Sequence, residues 1–173
     1  MDTAARLTLG NSKANAQRTA AYIGASAGRF AELMETFLQG DRRTAQCASW
    51  PFSLVCEAHP DLLTPWLPRV LDLLDQPAHD SVHRHVLRSL QWCNPPDALH
   101  GRLTDLAFLW MMDARRPVAA RASAITVAAR MVGIHVELIH EFAAILDRME
   151  RQEQPPAIRS RIAATRRALA PGA

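Results

Sequence analysis

Runs of alternating apolar and polar residues, and stretches rich in Val, Ile, Thr and Tyr, are missing from this sequence. Half-buried strands need that alternation, so a β-sheet core is not expected. Long apolar runs are missing too. The longest, residues 106–112, is far short of the about 20 residues that cross a bilayer. The opening MDTAARLTLGNSKANAQ holds no apolar stretch of signal-peptide length. Cysteine is scarce: Cys47, Cys56 and Cys93 show no C-x-x-C spacing and cannot all pair. They read as free, buried thiols in a reducing compartment, which together with the missing apolar segments places the chain in the cytoplasm. There is no Gly-rich phosphate loop, no H-E-x-x-H and no G-x-S-x-G. No catalytic residue, cofactor or metal is therefore nominated. The formal charge of +3 is too small to assign a nucleic-acid partner by itself.

What is present is a helical pattern. Of 173 residues, 49% are hydrophobic, enough to build a core. Apolar residues recur at helical spacing nearly throughout, and the breaks fall at Gly40, Pro77, Asn94, Pro95, Pro96, Pro117, Gly133, Pro155 and Pro156. The segments between them predict helices over 12–23, 28–39, 41–58, 61–76, 80–93, 96–113, 117–132, 135–152 and 156–169. Gly40 and Gly133 are placed to close helices in a left-handed conformation. Pro117 and Pro156 suit first helical positions, and Asp80 can cap a helix from Ser81. Pro51 lies inside 41–58 and should kink it. Residues 1–11 and 170–173 read as tails of a single domain spanning 1–173. Charge is uneven: 6 basic and 9 acidic side chains occupy 41–113, and 10 and 5 occupy 114–173.

Superposing the segments reveals a repeat. One set of helices carries Arg42-x-x-Ala45, Arg84-x-x-Leu87, Arg121-x-x-Ala124 and Arg159-x-x-Ile162, at steps of 42, 37 and 38 residues. The helices between them carry apolar stripes at offsets 0, 4, 7, 8 and 11. The stripes are Leu63, Leu67, Val70, Leu71, Leu74; then Leu99, Leu103, Leu106, Ala107, Trp110; then Leu138, Phe142, Ile145, Leu146, Met149. Phe30, Leu33, Met34 and Phe37 form a weaker earlier copy. One hairpin cannot bury such a stripe alone, so the copies must stack. At roughly 1.5–3 kcal/mol for each large side chain buried, stacking one repeat is worth several kcal/mol before ordering entropy is charged against it.

This arrangement resembles the HEAT-repeat family of armadillo-type α-solenoids over roughly residues 28–169. The repeated Arg, the leucine stripes and Pro51 within a first helix carry the resemblance. It implies an all-α, right-handed solenoid of about four stacked antiparallel helical hairpins, with second helices on a concave side. It also implies that each repeated Arg pairs with an acidic residue of a neighbouring repeat, here Asp41, Asp80 or Asp113. Some HEAT-like proteins cradle DNA, as alkylpurine glycosylases do, and others are pigment lyases, so nucleic-acid binding and enzymatic roles stand as alternatives.

Repeat alignment points to one surface. Phe108, Met111 and Met112 fall where both neighbouring copies are polar, opposite Asp72 and Asp147, Asp75 and Glu150, and Gln76 and Arg151. An apolar patch rimmed by Asp72, Asp75, Asp105, Asp147 and Glu150 would suit a basic amphipathic helix or peptide. Packing of the two Met under the following loop is the competing reading. Trp66 aligns with Arg102 and Glu141 and so faces outward, near Arg69. Trp110 falls in a core stripe, whereas Trp50 and Trp92 are ambiguous. The expected function is a protein-interaction or scaffold module, its candidate contacts Trp66, Arg69, Asp72, Asp105, Phe108, Met111, Met112 and Asp147. The acidic inner face of the middle repeats opposes a nucleic-acid role. Arg159, Arg161, Arg166 and Arg167 crowd the last helix as a polar cap or a site for an anionic partner. His79, His83, His85 and Cys93 read as a solvated helix start and not as a metal site.

Overall fold

A computed structural model describes residues 3–8 and 10–169. Every regular element among them is helical. Where the sequence reads as one domain, the contacts gather the residues into two compact units, the first ending at Pro96 and the second beginning at Asp97. The division falls at Asn94, Pro95 and Pro96, where two consecutive prolines forbid helix continuation.

The first unit contains α1 (Thr3–Leu7), α2 (Lys13–Ile23), α3 (Ala27–Gln39), α4 (Arg42–Ala58), α5 (Leu67–Asp75) and α6 (Asp80–Leu90). Side chains start several of them by accepting orphan amide protons. Ser12 accepts from the Asn15 amide at 3.2 Å, Ser26 from Arg29 at 3.4 Å, and Asp41 from Thr44 at 2.8 Å. The Thr44 amide and hydroxyl hold the Asp41 carboxyl below its ordinary value. Three sequence expectations need correction here. The N-terminal segment is not all tail: α1 forms, Leu7 is buried, and Thr3 donates to Glu32 at 2.8 Å. His79, not Asp80, starts α6, its Nδ1 accepting from the Ser81 amide at 3.1 Å. Gly40 closes α3 in an extended conformation, φ −68° and ψ 161°, not a left-handed one. Its missing side chain is required by crowding: a Cβ would lie 2.5 Å from the Thr36 carbonyl oxygen and 2.7 Å from Thr44 Cγ2.

Between α4 and α5 the chain forms a 3-10 segment, Pro60–Trp66. Pro65 and Pro68 lack amide protons, which accounts for the irregular entry into α5. The helix α4 runs through Pro51 without interruption. It lies against α2, α3 and α6, so it is the centre of this unit. Its Phe52 stacks on Phe37 at 4.9 Å and on Phe30 at 6.3 Å between centroids. The stripe of Leu63, Leu67, Val70, Leu71 and Leu74 is wholly buried, as are Phe30, Leu33, Met34 and Phe37.

The second unit contains α7 (His100–Met112), α8 (Val118–Ile134), α9 (Ile139–Glu150) and α10 (Pro156–Leu169). Short 3-10 turns, Asp97–Leu99 and Val136–Leu138, lead into α7 and α9. Pro156 opens α10 as expected, while Pro117 sits one residue before α8. Gly133 does not close a helix: it lies within α8, which continues through Ile134 to a cap at His135. The expected stripes are inside. Leu103, Leu106, Ala107, Trp110, Phe142, Leu146 and Met149 are buried, and Leu99, Leu138 and Ile145 are half-buried. Repeat-related first helices touch within each unit, α4 against α6 and α8 against α10, which is the stacking that the stripes demanded. The expected C-terminal tail, 170–173, lies outside the described residues.

Candidate functional site

The apolar patch expected on α7 is divided by the fold. Met111 is completely buried. Phe108 is 8% exposed, with its ring parallel to Phe142 of α9 at 5.8 Å between centroids. Neither side chain can meet a partner while the unit stays folded, so Phe108 departs from the expected surface and Met111 is packed away, as the competing reading had it. Met112, at 38% exposure, does face solvent. So does Leu109, at 56%, a residue that repeat alignment passed over. With Asp105 exposed, residues 105, 109 and 112 stand at offsets 0, 4 and 7, one face of α7. That face carries a carboxylate at one end and two large apolar side chains beyond it. The signal that could have found Leu109 was this spacing within α7.

Asp147, on α9, is exposed and engaged: Arg166 of α10 donates to both Asp147 and Glu150, the latter at 2.9 Å. The expected acidic rim of the second unit is thus partly neutralised by the chain's own arginine. Trp66, Arg69 and Asp72 belong to the first unit. The Arg69 guanidinium lies 5.6 Å from the centre of the half-buried Trp66 ring and 3.3 Å from Glu35. Asp72 is exposed on α5. The first unit also has a cleft of about 360 Å³ lined by Phe37, Arg42, Leu73, Gln76, His79 and Val82 among others.

The repeated arginines do not form the expected salt-bridge ladder. Arg42, Arg84 and Arg159 are exposed. Arg121 is buried, and its guanidinium donates to the Met111 carbonyl at 3.1 Å and to Gln154 Oε1 at 3.0 Å. Gln154 in turn donates to the Met149 carbonyl at 3.0 Å, and Arg159 donates to the Gln154 carbonyl at 2.8 Å. Asp113, the expected acidic partner, takes Arg115 at 2.9 Å and Arg116 at 3.3 Å instead. The side-chain and backbone hydrogen bonds from Arg115, with the charges of Arg115 and Arg116 beside them, pull the Asp113 carboxyl down to about 2. The physical reason is spacing: Arg115 and Arg116 lie in the same turn as Asp113, within reach of a short side chain. Arg116 also covers the buried Trp110 ring at 4.0 Å. Arg161 of α10 donates to Thr126 at 2.9 Å. With Arg159 and Arg166 similarly occupied, the last helix uses three of its arginines inside the unit.

The histidines and cysteines singled out in the sequence lie within the first unit. His79 caps α6, His83 Nε2 lies 3.1 Å from the Gln76 carbonyl, and Cys93 donates to the Leu90 carbonyl. His83, His85 and Cys93 are buried, which corrects the reading of a solvated helix start. His85 stacks on Trp50 at 6.0 Å, and burial, with Arg84 and Arg88 alongside, pushes it down to about 4. All three thiols are free. Burial pushes the Cys56 thiol far above its ordinary value, so it is a poor nucleophile at neutral pH. Among the described residues no helix is long and apolar enough to cross a membrane.

Residues 3–169 match a family model described as a HEAT repeat domain. No curated protein and no solved structure matches the chain.

Proposed function

The chain belongs to the HEAT-repeat family, and from that premise we propose that it is a protein-interaction module whose second unit receives a partner on the outer face of α7. The observation that carries this reading is the pair Leu109 and Met112, two large apolar side chains left in solvent on a helix whose other apolar residues are covered. Single exposed leucines are ordinary on any surface. Two on one helix face, one of them an adaptable Met and with a carboxylate a turn away, suit an amphipathic helix or peptide presenting apolar side chains and a Lys or Arg toward Asp105. The free thiols suit a reducing, cytoplasmic setting. Nucleic acid is the weaker partner class, because Arg159, Arg161 and Arg166 already have acceptors within the chain.

The test is site-specific photo-crosslinking in the native cell, with the photoreactive residue at position 109, 112 or, as a control, at the exposed Ser160 of α10. A protein captured from 109 and 112 and not from 160, and lost from position 112 when Leu109→Asp is added, supports the surface. Capture that is equal from all three positions, or indifferent to Leu109→Asp, refutes it. Leu109→Asp keeps the fold because the side chain is already in water, whereas Phe108→Asp would bury a charge against Phe142 and unfold the unit.

A further inference from the structure

The described part of the second unit closes on half a repeat. Helix α10 carries Arg159 and Ile162 at the first-helix positions and leans on α8, the first helix of the preceding repeat. Among the described residues no second helix follows it. On one flank α9 meets α7, where Phe142 stacks on Phe108. Beside α10 it has no second-helix neighbour among the described residues. A cleft of about 190 Å³ opens there, lined by Ile139, Phe142, Ala143 and Leu146 of α9 and by Arg166 and Leu169 of α10.

Size and chemistry limit what can lie in this cleft. At about 190 Å³ it is smaller than the roughly 300–1,000 Å³ of small-molecule sites and has room for a side chain or two. Five of its six lining residues are apolar. Phe142 and Leu146 are buried beneath it, while Ile139 is exposed. Ile134 and Val136 add two more exposed apolar side chains in the turn that leads into Ile139. The C-terminal end of α9 is charged instead. Asp147 and Glu150 share the single guanidinium of Arg166, and two carboxylates against one cation leave one negative charge. From this arrangement we propose that the flank of α9 beside α10 seats a basic amphipathic helix of a partner protein, lying where a stack of repeats would place its next second helix.

The spacing suits a helix. Ile139, Ala143 and Leu146 stand at offsets 0, 4 and 7 along α9, the form of the stripes that the repeats bury against one another. At 1.5 Å per residue that stripe runs about 10 Å, or roughly two turns of a facing helix. Ala143, the smallest of the three, lets a partner backbone come close. Apolar side chains of the partner at the same spacing enter between Ile139 and Leu169, and a Lys or Arg beyond them meets Asp147 and Glu150. The cleft is lined by no residue of the outer face of α7, and the proposal does not depend on a partner binding there.

The experiment pans a phage-displayed library of helical peptides against the full chain. The peptides are about 18 residues long, enough for a helix to form, with a fixed leucine stripe and flanks randomised over Lys, Glu, Ser and Ala. One selected peptide is then synthesised and titrated by fluorescence polarisation. Selection of Lys-rich flanks is expected. Ile139→Asp, at an exposed position, weakens the peptide about tenfold. Asp147→Asn together with Glu150→Gln weakens it about threefold at low salt, the scale of exposed charge pairs. Leu109→Asp leaves the affinity unchanged. The proposal is overturned if no peptide is selected, if the flanks show no excess of Lys, or if binding is indifferent to Ile139→Asp. Loss of binding with Leu109→Asp overturns it too, by assigning the peptide to the outer face of α7. So does a wild-type dimer in sedimentation that Ile139→Asp turns into a monomer, because the occupant is then a second copy. Should Ile139→Asp fail to fold, Ala143→Gln, which fills the cleft with a neutral side chain, decides in its place.

Discussion

Replacing Arg121 with alanine removes two charge-assisted hydrogen bonds from the interior of the second unit. Arg121 is 3% exposed, and its guanidinium donates to the Met111 carbonyl and to Gln154 Oε1. Hydrogen bonds to charged groups contribute roughly 1.5–3 kcal/mol each, and buried acceptors left empty cost roughly 1–3 kcal/mol each. Against this, deleting the guanidinium relieves its own desolvation, the same burial that pulls its pKa below the ordinary arginine value. The net expectation is a loss of about 3 kcal/mol, read as a lower urea midpoint at unchanged slope in the transition of the second unit. Gln154→Ala should couple to it: Arg121→Ala and Gln154→Ala together are expected to cost about 1–2 kcal/mol less than their sum. Because both acceptors are neutral, the Arg121 contribution should persist in high salt and in Asp113→Asn. A loss under about 1 kcal/mol, strict additivity with Gln154, or abolition by Asp113→Asn would refute the reasoning and restore the salt-bridge ladder.

Two further predictions concern the first unit. His85 titrates at about 4 when folded, against an ordinary 6.5, so the unfolded chain takes up a proton first. Its contribution to stability is full above pH 6.5 and is lost as pH falls through about 4, a swing of roughly 3 kcal/mol at most. His85→Gln should flatten the dependence of the urea midpoint on pH over that interval, and an unchanged profile would contradict the assignment. Gly40→Ala should cost about 1–3 kcal/mol by overpacking, since the backbone there suits any residue and only the approach of Thr36 and Thr44 forbids a Cβ; equal or higher stability in thermal unfolding would refute it.

Helix positions were legible because the breakers are explicit. Ser12, Ser26 and Asp41 are local signals, and prolines mark most other ends. The five-residue α1 lacks such a signal and exists through tertiary contacts, including Thr3 with Glu32, that no local pattern encodes. The recurrence of Arg was legible, but its partners were not, since Gln154 is 33 residues from Arg121 and no register rule links them. Phe108 was misplaced for a related reason. Alignment assumes that equivalent positions of each copy have equivalent surroundings, yet Phe108 has an aromatic partner in Phe142 that polar Asp72 and Asp147 would not use.

Ala120, Ala124, Val127, Ala128 and Val132 of α8 are buried, and both α7 and α10 lean on it. Peeling either neighbour away strips a flank of the helix that supports the other. The three are therefore expected to open together, so that backbone amides of α7 and α10 exchange with solvent at similar rates.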